Sequence, residues 1–247
     1  MKITTRQIVV AGALGAISIL LGVTKLGFIP FVLGTSITIM HVPVIVGAIL
    51  EGPWVGTAIG LIFGIFSLIW AYIGPNGPGD IYFQNPLISI LPRLFIGLSA
   101  YMVFRALRKI SVPWILFLSG FGLGLWAVFC YQVGKVNEPA ALLSAGIALG
   151  SVSALAYSSL KQETEVTAIT VAAIVGTLTN TVLVLGMMGL LGTLRWVPTI
   201  PWGGLLGIGL ANGIPEAIGA VLITVAVVAA WKQIEFGRKG ARIFRDE

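Results

Sequence analysis

The sequence predicts an all-α, polytopic membrane helix bundle of about eight spans. Composition gives the first reason: 57% of the 247 residues are hydrophobic and 10% charged, against roughly 25% charged in a soluble domain. The second is that the apolar residues fall in runs of about twenty, enough for a helix to cross a bilayer core. The third is the placement of the basic residues. With the N-terminus inside, eleven lysines and arginines lie in inner segments and three (Lys25, Lys135, Arg195) in outer loops. That imbalance places both termini in the cytoplasm and the chain in the plasma membrane as one integral domain over 1–247.

Taken in order, the spans are 8–24, 37–50, 54–72, 86–107, 113–133, 140–160, 166–191 and 203–231. The first follows Lys2 and Arg6 but has no A-x-A cleavage pattern after it, so it reads as a retained helix rather than a signal peptide. It carries Ala11xxxGly15 and Gly12xxxAla16, small-residue stripes that let another backbone approach closely. The second is short for a span and so reads as tilted, broken or extended by its neighbours. The third carries Gly56, Gly60 and Gly64, a ridge expected to pack inside the bundle. Between spans one and two, and three and four, lie the outer loops 24–36 and 74–84. Long Gly- and Pro-rich loops of this kind are more often lids or binding loops than connectors, and Tyr82 and Phe83 are the lid candidates. Trp70, Tyr72, Trp196 and Trp202 fall near the outer boundary and read as an aromatic belt.

The fourth span holds the residue hardest to place in lipid. Arg93 keeps its charge in any protein setting and must face a partner or a polar cavity. Pro92 lacks an N–H and frees the carbonyl of Ile88 one turn earlier. Asn85, Ser89, Arg93 and Gly97 repeat every four residues, a polar or small stripe on one face. Other spans bring polar groups to comparable depth at about 1.5 Å per residue: His41, Asn180 flanked by Thr177 and Thr181, and Asn212 with Glu216 one turn on. Pro43 and Pro215 accompany His41 and Glu216 as Pro92 accompanies Arg93, and broken helices at membrane depth require protein or a wet cavity. Each group also has a plainer reading: Arg93 with Glu216 as a buried ion pair, Asn180 with its threonines as an interhelical bond, His41 as a satisfied interface histidine.

Several classes are excluded. One cysteine and one histidine leave no disulfide framework and no multi-histidine zinc site. No HExxH, no G-x-S-x-G and no phosphate-binding G-x-x-x-x-G-K-[ST] occurs, so neither an enzyme nor a self-powered pump is expected. The net charge of +6 reflects loops at an anionic membrane surface rather than nucleic-acid binding. A proton-coupled secondary transporter with Glu216 as carrier is the alternative class, to be separated by its driving force.

In ITIMHVPVIVGAILEGPWVG (37–56), FQNPLISILPRLFIG (83–97), GTLTNTVLVLG (176–186) and ANGIPEAIGAVLIT (211–224), the chain resembles the substrate-binding (S) components of energy-coupling factor (ECF) vitamin transporters. The resemblance implies a six-helix core (8–107 and 166–231) that captures a vitamin from outside, without a cofactor. It then docks on a transmembrane coupling subunit carrying two ATPases. His41, Arg93, Asn180, Asn212 and Glu216 would hold the vitamin, with Tyr82, Phe83 and Asn85 at the lid side. Riboflavin, folate, pantothenate and pyridoxine-type ligands all remain candidates. Two features depart from the family pattern. Residues 111–162 insert a further hairpin, and the AxxxA docking motif is replaced by Ala11, Gly12, Gly15 and Ala16.

Overall fold

The computed structural model describes residues 3–30, 36–75, 77–108 and 164–243. The predicted spans 113–133 and 140–160 lie outside the described residues. The rest is a helical bundle with one short antiparallel hairpin: α1 (Thr5–Val23), β1 (Phe28–Pro30), β2 (Ser36–Thr38), α2 (Val42–Glu51), α3 (Pro53–Ile73), a 3₁₀ segment (Pro78–Gln84), α4 (Pro86–Ser89), α5 (Leu91–Leu107), α6 (Thr164–Thr193) and α7 (Trp202–Ile243). Among the described residues, five helices are long and apolar enough to cross a membrane, with Pro86–Leu107 counted as one despite its break.

The second predicted span is helical over only part of its length. Its first residues form β2, in register with Phe28 opposite Thr38, and only Val42–Glu51 is helical. Ten residues rise about 15 Å, half a bilayer core. Pro43 does not kink this helix but sits in its first turn, where a missing N–H costs nothing. Eight of the ten residues are buried, because α1, α3, α5, α6 and α7 all pack around α2. At its end Gly52 adopts φ 101°, a conformation that favours glycine, and the chain reverses directly into α3.

Glycines set how closely α3 meets the broken fourth span. A Cβ built on Gly97 would lie 2.6 Å from the carbonyl carbon of Gly56, and one on Gly64 would lie 2.9 Å from Cα of Ile90. The ridge expected to pack internally does so, against the break itself. The principal core lies around α2 and includes Val44, Ile45, Ile59, Ile96, Ala100 and Ala172. A second cluster near the 74–84 loop joins Tyr82, Ile88, Val184, Met188, Leu191 and Leu205. Large apolar side chains on the outer faces, such as Ile17, Leu61, Phe95, Leu178 and Leu222, are exposed and form the lipid-facing surface.

The opposite end of the bundle is tied by charge. Arg6 Nε lies 2.6 Å from Glu51 Oε1, and Arg108 and Lys232 both reach Glu165. Gln7 donates to the carbonyl of Glu51 at 3.2 Å. Within α1, Gly15 faces inward, where a Cβ would meet Ile62 Cδ1 at 2.7 Å, and Ala11 is half-buried. Gly12 and Ala16 are exposed, with open space around Gly12.

Candidate binding site

The site begins at the break between α4 and α5. Asn85 caps α4, its Oδ1 accepting from the N–H of Leu87 at 2.9 Å, and Pro86 occupies the first turn. Pro92 cannot donate to Ile88, and the orphaned carbonyl is claimed by Arg93, whose Nη1 donates to it at 2.5 Å. The guanidinium lies over two rings, 5.3 Å from the centroid of Phe63 and 4.9 Å from that of Phe83. Such stacking favours a cation without neutralising it. Ser89 Oγ donates to the carbonyl of Phe83, which fixes the loop ring against the charge. Arg93 Nε has no partner among the described residues.

Across from it, α7 and α6 supply the remaining polar groups. Glu216 Oε1 accepts from the backbone N–H of Thr38 at 2.8 Å, so α7 holds the end of the hairpin. Arg93 and Glu216 are each 4% exposed, yet among the described residues neither enters an ion pair. Each is engaged by backbone instead. Asn180 Oδ1 and Asn212 Oδ1 are buried and without a partner among the described residues. Thr181 Oγ1 donates to the carbonyl of Thr177 at 3.2 Å, which leaves that hydroxyl free only to accept.

Arg93, Asn180, Asn212, Glu216, Tyr82 and Phe83 share the lining of one cavity of about 360 Å³. His41 and Asn85 are not among its lining residues. His41 is fully buried, with Nε2 2.9 Å from Thr177 Oγ1. That hydroxyl donates its hydrogen to the carbonyl of Ala173 at 2.9 Å, so Nε2 must be the donor to it and Nδ1 is left without a partner. Asn85 serves as the helix cap.

Sequence reasoning missed the aromatic wall. Phe63, Phe66 and Trp70 line the cavity, and Phe66 stacks on Trp70 at 5.5 Å. Trp70 was expected in an interfacial belt, but it turns inward and its Nε1 is buried without a partner. The signal was present: 63, 66 and 70 recur at helical spacing and continue the buried face begun by Gly56 and Gly60.

Among known proteins, the family model for the substrate-specific component of ECF transporters matches residues 6–228. A pantothenate transporter, PanT, of Leuconostoc mesenteroides subsp. mesenteroides is 36% identical over 83 residues, covering 32% of this chain and 41% of that protein's length. A pantothenic acid transporter, PanT, of Lactococcus lactis subsp. cremoris is 28% identical over 197 residues, covering 78% of this chain and 76% of the other. A cavity lined by polar and aromatic groups within a bundle of apolar helices agrees with that match, which is to a transporter component and not to an enzyme. The chain belongs to the substrate-specific components of ECF transporters.

Proposed function

We propose that this chain captures pantothenate from the side of the 24–36 and 74–84 loops and delivers it to an ECF module of a transmembrane coupling subunit and two ATPases. The observation that carries this reading is the cavity of about 360 Å³, whose lining residues include buried polar atoms without a partner among the described residues: Arg93 Nε, Asn180 Oδ1 and Asn212 Oδ1. Its size falls within the range of about 300–1,000 Å³ common to small-molecule sites. Buried polar atoms left unpaired cost roughly 1–3 kcal/mol each, and a polar ligand offsets that cost on binding. The names of the two relatives select pantothenate among water-soluble vitamins. Arg93, Asn180, Asn212 and Glu216 contact the ligand, and Tyr82 and Phe83 close over it. His41 and Asn85 shape the wall from behind.

The coupling subunit docks on the outward face of α1 at Gly12 and Ala16. Gly15 and Ala11 take no direct part, since they face the bundle. Purified protein titrated calorimetrically with pantothenate should show saturable one-to-one binding. Cells should accumulate labelled pantothenate only when the coupling subunit and ATPases are co-expressed. Uptake by this chain alone, driven by a proton gradient, would instead establish a secondary transporter.

A further inference from the structure

We infer that Arg93 reads a carboxylate on the substrate, so that the site accepts the acid and rejects its neutral analogues. This rests on the pantothenate reading above and fixes which end of the ligand lies where. The first support is charge. Arg93 is 4% exposed, its contacts are one backbone carbonyl and the faces of Phe63 and Phe83, and none of these carries a negative charge. Two acids line the same cavity, and each is engaged by a backbone N–H: Glu216 Oε1 by Thr38 and Asp80 Oδ2 by Gly77.

The second support is direction. The rings of Phe63 and Phe83 lie 5.3 and 4.9 Å from the guanidinium carbon, and Nη1 is engaged by Ile88. Nε and Nη2 share the remaining edge, and Nε is unpartnered. Two parallel N–H groups on one edge match the two oxygens of a carboxylate. Across the cavity the pattern differs: Asn180 and Asn212 each present an unpartnered buried oxygen, and Thr181 can only accept. These are acceptors suited to hydroxyl groups. Pantothenate carries a carboxylate at one end, an amide in the middle and hydroxyls at the other. It therefore lies with its carboxylate on Arg93 and its hydroxyls toward α6 and α7.

The experiment compares pantothenate with pantothenol, in which CH₂OH replaces the carboxylate, by calorimetry on the purified full chain and on Arg93→Gln. Wild-type protein is expected to prefer the acid by about thirtyfold or more, the contribution of a charged hydrogen bond. Arg93→Gln should lose that preference through weaker binding of the acid, with the alcohol nearly unaffected. Arg93→Lys, which keeps the charge but not the bidentate edge, serves as the second variant should Gln impair folding, and is expected to retain only part of the preference. Equal affinity of wild-type protein for both compounds overturns the inference and leaves the pantothenate reading standing. A preference that survives undiminished in either variant overturns the inference as well. Binding of neither compound overturns both readings.

Discussion

Gly60 lies where α3 crosses the broken span, and a Cβ there would run into the carbonyl oxygen of Arg93. Alanine in a helix gains about 1 kcal/mol over glycine from propensity alone. Forcing a methyl group against a backbone that cannot rotate away costs about 1–3 kcal/mol. Overpacking should win, so Gly60→Ala is expected to lower the melting temperature. Gly12→Ala has open space and should leave it unchanged or slightly raised; a stabilised Gly60→Ala would show that the ridge is looser than described. At the same scale, Asn85→Ala removes the cap on α4, worth about 1 kcal/mol. Because Asn85 does not line the cavity, ligand affinity should follow stability rather than fall independently.

At the scale of elements, α1 presents two different faces. Gly12→Leu with Ala16→Leu should abolish uptake while leaving ligand binding intact, since both residues point away from the bundle. Gly15→Leu should instead lower stability through Ile62; loss of binding in the double variant would mean that the outer face belongs to the fold. The fourth span was the most legible part of the chain. A proline with no donor and an arginine that cannot discharge leave few arrangements, and the predicted free carbonyl of Ile88 is the one that Arg93 meets. The second span was hard to read because residues 37–50 are apolar apart from Thr38 and His41. Periodicity there does not tell strand from helix, and the pairing of β2 with Phe28–Pro30 comes from outside the run. His41 lies outside the cavity lining for a related reason: depth along a helix says nothing about which side it faces, and its Nε2 meets Thr177 Oγ1.

Across the whole molecule, opposite charges concentrate at the end away from the loops, where Arg6 meets Glu51 and Arg108 and Lys232 meet Glu165. Ion pairs with an exposed member contribute about 0–1 kcal/mol each, so their weight lies in orientation more than in stability. Basic residues at that end support the proposal that it lies on the cytoplasmic side. With Cys130 replaced by serine, a cysteine at Pro75 should react with a membrane-impermeant maleimide in intact cells. One at Thr5 should react only after lysis, and the reverse pattern would invert the proposed topology. The cavity is a whole-molecule property as well, since its walls come from α3, α5, α6, α7 and the loop segments between them. Single residues were legible, but the void between them required the packing.

The bond from the N–H of Thr38 to Glu216 makes one backbone hydrogen a reporter on the cavity. That hydrogen can exchange with solvent deuterium only when the hairpin lifts away from α7, so its protection measures how often the site opens. Deuterium uptake around Thr38 should be slow in the empty protein and slower once ligand is held. It should become fast in Glu216→Ala, and protection unchanged in that variant would mean that the hairpin is retained by other contacts. Followed over time, this signal separates the opening of the outer loops from the departure of the vitamin.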